Sequence, residues 1–395
     1  MNALEQLTHL TAAEKEKLGA VYTPKEIAQQ PATWQQTWAL LKARLPEIQA
    51  FLSTAGVRGP AAERPTVFLV GAGTSDYIGR SLHHLLRREW QSEVVAVSST
   101  DLLTDFADYL IEGQKYLWIS FSRSGDSPEG VAVLERALAE QPQIAHIVVS
   151  CNADGKMSRL IKDRANALSL ILGKETNDES LAMTSSFTNM VLTGQVLAHA
   201  WTPEAYEPVH TALCAAAEAF LPVAADLAAE LAQKRYPRVC LIGSALLAGA
   251  ATESALKVLE LTAGGIKTMT QATLALRHGP MAALDNETLF IALLSTEKAR
   301  QRYEVDLIRE IERKGLVAKA VAVLGSGAAA PPQFESTQLL QPAGAWEIPD
   351  LYRPPLDTIF GQLLGLFSSL AHGLSPDAPS PNGAITRVVQ PIQIY

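Results

Sequence analysis

Continuous apolar runs, rather than alternating ones, dominate the middle of the chain. Thr66 to Val70, Val94 to Val97, Leu117 to Phe121, Ile144 to Val149 and Leu168 to Leu172 read as short buried strands, with helix-length segments between several of them. Strands without polar alternation, separated by helices, predict a parallel sheet covered on both faces. A second series begins at Val239 to Ile242 and continues through Leu289 to Leu294 and Val317 to Leu324. Gly71 follows the first strand of one series and Gly243 that of the other, 172 positions later, while Ser122 and Ser295 close later strands 173 positions apart. The nearly equal offsets predict two similar doubly wound α/β domains in tandem, each a parallel sheet flanked by helices.

The flanks read differently. From Thr11 to Leu52 the pattern is helical, with Trp34 and Trp38 one turn apart and Thr23-Pro24 as a helix start. Ser53 to Pro65 is rich in Gly, Pro and Ala and reads as a linker. The expected organisation is an N-terminal helical arm at 1–52, a first domain at 53–202, connecting helices at 203–233, a second domain at 234–375 and a tail at 376–395.

A chain of 395 residues has room for two to three domains, and 48% hydrophobic with 19% charged residues is ordinary for packed cores. A formal charge of -8 repels a phosphodiester backbone, so nucleic acid is not expected as a partner. Cys151, Cys214 and Cys240 are too few and too far apart for a disulfide framework or a zinc cluster, and are expected to be reduced and buried. No apolar run approaches the ~18 residues of a bilayer span, the longest, around Gly361 to Leu374, being broken by serines and a histidine. Met1 to Glu16 has early acids and no apolar core of a signal peptide, so no membrane association and a cytoplasmic location are expected.

In an open parallel sheet, ligands bind beyond the carboxyl ends of the strands. After Val70 comes Gly71-Ala72-Gly73-Thr74-Ser75, leading into a helix, where small residues and unpaired N–H groups suit an anion such as phosphate. The same turn could simply close a strand-to-helix connection. Asp76, Tyr77 and Ile78 spoil the spacing to Gly79, which disfavours a nicotinamide cofactor, and no Walker lysine is present. After Phe121 comes Ser122-Arg123-Ser124-Gly125-Asp126-Ser127-Pro128-Glu129. Helix capping by Asp126 or Ser127 would explain one or two of these residues, whereas a cradle of hydroxyls for phosphate oxygens explains more of them. Neither a paired-histidine spacing nor a carboxylate cage occurs, so no metal and no cofactor are expected.

Gly73-Thr74-Ser75 together with Ser122 to Ser127 resembles the sugar isomerase (SIS) domain, whose members bind phosphosugars through such loops. Two SIS domains in tandem, with Glu253-Ser254-Ala255-Leu256-Lys257-Val258-Leu259-Glu260 and Arg277-His278-Gly279-Pro280, resemble the isomerase half of glucosamine-6-phosphate synthase. Its glutaminase half has no counterpart here. The chain resembles the AgaS family over nearly its whole length, including Tyr22 to Ile27 and Glu175 to Thr188. That family is assigned as galactosamine-6-phosphate deaminase/isomerase or tagatose-6-phosphate ketose/aldose isomerase.

The resemblance implies that Gly73, Thr74, Ser75, Ser122, Arg123, Ser124, Ser127 and Thr184 bind the phosphosugar. It also implies that Glu260 shuttles a proton between C1 and C2 and that His278 opens the sugar ring. His278 would come from a neighbouring subunit, which implies a homodimer or a dimer of dimers. The synthase carries a lysine in its tail that contacts the open-chain sugar; here Arg387 is the nearest basic candidate. The second domain lacks both hydroxyl loops, having Gly243-Ser244-Ala245 and Ser295-Thr296-Glu297 instead, so one phosphate site per chain is expected. Taken without the resemblance, Glu253, Lys257 and Glu260 at i, i+4 and i+7 read as a solvated salt-bridged stripe. The implied partner is a hexosamine or ketohexose 6-phosphate. The alternatives are isomerisation without deamination, or a phosphosugar sensor that binds without reacting.

Overall fold

The computed structural model describes residues 1–325, 331–344, 346–390 and 392–394. Two compact units interleave along the chain, one formed by residues 32–178, 185–207 and 386–395, the other by residues 1–31, 179–184 and 208–385. The consecutive boundaries expected from the sequence therefore differ from the units. The early helices do not stand apart as an arm. Helix Gln30–Ala43 is fastened inside the first of these units, where Trp34 Nε1 donates to Thr188 Oγ1 (3.0 Å) and the Thr37 hydroxyl to Asn189 Oδ1 (2.7 Å). In the other unit the Asp377 carboxylate accepts from the backbone N–H groups of Val21, Tyr22 and Thr23, joining two ends of the sequence. Within the expected spans 234–375 and 376–395, positions 326–330, 345, 391 and 395 lie outside the described residues.

The first unit is built on a five-stranded parallel sheet of β1 (Thr66–Gly71), β2 (Val94–Ser98), β3 (Tyr116–Ser122), β4 (Ala145–Ser150) and β5 (Ala167–Ile171), in the order β2-β1-β3-β4-β5. Every residue of β3 and β4 is buried, as strands covered on both faces require. The second unit repeats this plan with β6 (Arg238–Gly243), β7 (Lys267–Ala272), β8 (Thr288–Leu293), β9 (Lys319–Val323) and β10 (Gln338–Leu340), in the order β10-β9-β8-β6-β7. Each strand expected from an apolar run is present. The strands the pattern missed, β7 and β10, are the two edges of the second sheet, where one side needs no apolar cover. β7 reads Lys-Thr-Met-Thr-Gln-Ala and is half-exposed.

Register confirms the duplication. Thr66 pairs with Tyr116 across β1 and β3, and Arg238 pairs with Thr288 across β6 and β8, each position shifted by 172. The second anchor is therefore off by one: at constant offset Leu294 is the counterpart of Ser122, and Ser295 that of Arg123. The turn geometry repeats as well. Gly73 sits at φ +55°, ψ −126° and Ala245, its counterpart, at φ +52°, ψ −125°. A Cβ on Gly71 would lie 2.3 Å from the Ser75 carbonyl, and one on Gly243 would lie 2.3 Å from that of Leu247. Only glycine lets each following helix approach its strand this closely.

In the second unit, helix Leu246–Leu261 packs on helix Pro354–Ala371. Contact is close because Gly361 and Gly365 lack side chains: their Cβ atoms would lie 2.2 Å from Ser254 Cβ and 2.9 Å from the Lys257 carbonyl. The run from Gly361 onward is thus core. The expectation that no run is long enough for a bilayer needs correction, since the 31-residue helix Pro203–Gln233 is long and apolar enough by length and composition. Its apolarity comes largely from scattered alanines rather than from an unbroken run, and more than half of the stretch is buried within the protein, as in a core helix. All three cysteines are unbridged and buried, and burial pushes each thiol up to about 12.

Ala245 is exposed, so its methyl group packs on little while its backbone occupies a region that L-residues avoid. Ala245→Gly is expected to stabilise the protein by about 1 kcal/mol, relief of strain exceeding the added entropy of the unfolded chain. The midpoint of urea unfolding measures it.

Candidate functional site

In the first unit the strand order reverses between β1 and β3, so the loops after these two strands flank one crevice. Gly73, Thr74 and Ser75 make the turn into helix Thr74–Arg80. A Cβ on Gly73 would meet nothing within 4 Å, so the space in front of this turn is open to a ligand. Asp76 in the same turn is buried. Desolvation raises its carboxyl pKa even though Arg80 Nη2 lies 2.8 Å away.

The loop after β3 is held in shape by its own hydroxyls. The N–H of Gly125 donates to the Ser122 hydroxyl oxygen (3.0 Å), and that of Asp126 to the Ser124 hydroxyl oxygen (3.2 Å). Accepting these bonds leaves each O–H as a donor for an oxyanion. Gly125, at φ +68°, makes the bend. Ser127 precedes helix Pro128–Glu140, yet its side chain makes no capping bond, and Asp126 Oδ1 instead accepts from the Lys156 N–H (2.9 Å). The capping explanation therefore does not account for either residue.

A second loop, after β4, braces the first. Asn152 Nδ2 donates to the Ser124 carbonyl (2.9 Å) and the Met157 N–H to the Gly125 carbonyl (3.0 Å). Gly155 is obligatory there, since a Cβ would lie 2.7 Å from the Ser124 carbonyl oxygen. These bracing residues carried no signal in the sequence, because backbone-to-side-chain bonds between distant loops have no spacing rule.

Arg123 is buried and donates to the backbone carbonyl of Arg387 (2.5 Å). The Arg387 guanidinium in turn donates to the Asp178 carbonyl (2.8 Å) and to Asn177 Oδ1 (2.9 Å). These donors fasten the tail beside Arg123. Asp178 also accepts from the Ser186 N–H (2.9 Å), securing the start of helix Ser185–Ala198.

In the second unit, Thr184 is fully buried and its carbonyl accepts from Gln362 Nε2 (3.4 Å). In this conformation the Thr184 side chain is enclosed by the protein.

Glu253, Lys257 and Glu260 follow one another on helix Leu246–Leu261 of the same unit, and two of the three residues of the stripe expected to be solvated are buried. Glu253 and Lys257 are 0% exposed, while the Glu260 side chain retains 23%. The Lys257 ammonium lies 2.6 Å from Glu260 Oε2 and 3.3 Å from Glu253 Oε1. Burial alone would lower the Lys257 pKa, but the two carboxylates outweigh it and hold the pKa above the ordinary lysine value. One charge of the triad therefore faces outward, tethered by a buried one. The spacing shows Lys257 but not its burial, because periodicity cannot tell a buried polar face from a wet one. His278 ends a short helical turn, Thr273–Arg277, and is exposed, with Gly279 at φ +119° after it.

The SIS domain family matches residues 62–200. An AgaS protein of Streptomyces coelicolor is 37% identical, over 95% of this chain and 96% of that one. The D-galactosamine-6-phosphate deaminase AgaS of Escherichia coli is 32% identical, over 95% of each chain. The crystal structure of tagatose-6-phosphate ketose/aldose isomerase from Escherichia coli superposes with a TM-score of 0.80 at 30% identity, covering 94% of this chain and 96% of that one.

Lys257→Met is expected to cost about 3–5 kcal/mol, because it leaves the Glu253 carboxylate buried without its ammonium. Adding Glu253→Gln to that variant restores part of the loss. Guanidinium unfolding of both variants reads the difference.

Proposed function

The chain belongs to the AgaS family of SIS-domain proteins, and on that premise we propose that it is a galactosamine-6-phosphate deaminase/isomerase. The substrate is a hexosamine 6-phosphate and the products are tagatose 6-phosphate and ammonia. The hydroxyls of Ser75, Ser122, Ser124 and Ser127, with Gly73 and Thr74, take the phosphate. Arg123 adds positive charge beside them. The observation that carries this reading is the loop after β3, whose Ser122 and Ser124 oxygens accept backbone N–H groups and whose Ser127 is spared from capping, so that three hydroxyls can donate.

The chemistry follows from one proton. After ring opening, with His278 as the group that moves the ring proton, Glu260 removes the proton from C2 of the open-chain aldose and returns it to C1. The C1 aldehyde takes this proton at carbon and, at oxygen, a second one released by the amine nitrogen, so that it becomes a hydroxymethyl group while the C2 amine becomes an imine. Water adds to C2, ammonia leaves, and a ketone remains. A carboxylate positioned for this transfer supplies typically about 10²–10⁴-fold. Lys257, 2.6 Å from Glu260 Oε2, holds the base in place between the two transfers. Exposure of His278 suits a residue supplied to a neighbouring copy's site, and we take the working form to be a homodimer or a dimer of dimers. A phosphorylated sugar does not cross a membrane unaided, which agrees with a cytoplasmic enzyme. The resemblance to tagatose-6-phosphate ketose/aldose isomerase keeps one rival, the same proton transfer without loss of nitrogen.

Ammonia measured enzymatically with galactosamine 6-phosphate as substrate is expected to rise in step with tagatose 6-phosphate. Conversion of neutral hexose phosphates alone, with no ammonia from either amino sugar, rejects the deaminase in favour of the isomerase. Binding without any turnover would make the protein a sensor.

Glu260→Gln is expected to abolish turnover while leaving substrate affinity within about tenfold, whereas Ser127→Ala raises KM with a smaller effect on kcat. Isothermal titration and steady-state kinetics separate the two. A wild-type rate in Glu260→Gln rejects the base assignment.

A further inference from the structure

The second unit carries the same topology as the first, and so it carries the same crevice beyond β6 and β8. What lies there is a side chain of the chain itself. Asp350 approaches the loop after β8 from just ahead of helix Pro354–Ala371. Its Oδ1 accepts from the Thr296 N–H (2.9 Å), the Thr296 hydroxyl (2.8 Å) and Arg353 Nη1 (3.0 Å). Its Oδ2 accepts from the Ser295 hydroxyl and from Arg300 Nη1 (2.6 Å). At the constant offset of 172, Ser295 and Thr296 are the counterparts of Arg123 and Ser124 in the hydroxyl loop of the first unit. Two hydroxyls, a backbone N–H and two guanidinium groups thus converge on a single carboxylate that is 9% exposed.

We propose that this crevice is a second oxyanion site, of the kind that takes a phosphate or sulfate, and that the chain fills it with its own Asp350 carboxylate. The donors outnumber what one carboxylate commonly receives, and they are of the types that bind phosphate oxygens. Arg353 is fully buried and its charge is also met by Asp357, 2.8 Å away, while its Nη1 donates to the Leu294 carbonyl (2.6 Å). The Arg300 side chain keeps 36% of its surface and gives the crevice its opening to solvent. A tethered carboxylate competes at high effective concentration, so a diffusing phosphate loses to it. The crevice is thereby closed to substrate, and helix Pro354–Ala371, which packs on the helix bearing Lys257 and Glu260, gains a fixed start.

Asp350→Ala removes the plug and leaves every donor in place. Equilibrium dialysis with radiolabelled inorganic phosphate is expected to show one more phosphate per chain in this variant than in the wild type. Its urea midpoint is expected to rise with phosphate but not with chloride at matched ionic strength. Asp350→Asn, which keeps the shape and drops the charge, is expected to show the same preference for phosphate over chloride. An unchanged phosphate count together with equal responses to the two salts overturns the proposal. Should Asp350→Ala fold poorly, its refolding yield is the readout: a higher yield in phosphate than in chloride supports the site, and equal yields overturn it.

Discussion

The constraint on which the structure rests is the closeness of helix to strand at the first turn of each sheet. Gly71 and Gly243 each stand where a Cβ would lie 2.3 Å from the backbone of the helix that follows. That approach brings the beginning of the helix up to the end of the strand, next to the loop from the neighbouring β3 or β8. Because the strand order reverses there, the two loops flank one crevice that no strand of the sheet fills. The repeated backbone angles at Gly73 and Ala245 show how closely the two copies keep this geometry, even where the residue is unsuited to it.

The copies then diverge in how charge is handled. In the first unit the loop after β3 stiffens itself through Ser122 and Ser124, and the loop after β4 supports it from behind. In the second unit the corresponding place is packed with internal ion pairs, Asp350 with Arg300 and Arg353, and Arg353 with Asp357. A buried charge is tolerable only when paired, and each of these lies against an opposite charge. Lys257 obeys the same rule between Glu253 and Glu260. It joins the one partly exposed carboxylate of the triad to the fold's interior and so holds it in place.

Particular elements mark how far the sequence could be read. The inner strands were plain because a strand buried on both faces is written as an unbroken apolar run; β7 and β10 were not, because an edge strand has no such obligation. Helix Pro203–Gln233 shows no unbroken apolar run because its apolar character is spread among alanines. The two hydroxyl-bearing turns were legible as candidate chemistry, since they fall directly after strands and contain more polar residues than capping uses. The bonds of Asp350 to Thr296 and of Arg387 to Asp178 were not legible, since each joins residues more than fifty positions apart.

What the amino-acid order determined by itself was local and periodic: the strands of the core, the glycines at the turns, the 172-residue repeat and the serines that follow β3. Those depend on side-chain size, branching and spacing between near neighbours, which the order of residues states outright. The tertiary structure alone decided that Glu253 and Lys257 are buried while Glu260 stays partly exposed, that early helices pair with segments far along the chain, and that one crevice is left open while its twin is closed by a carboxylate. Burial and long-range pairing are properties of the surface that remains once everything has packed, and no short stretch of sequence carries that information.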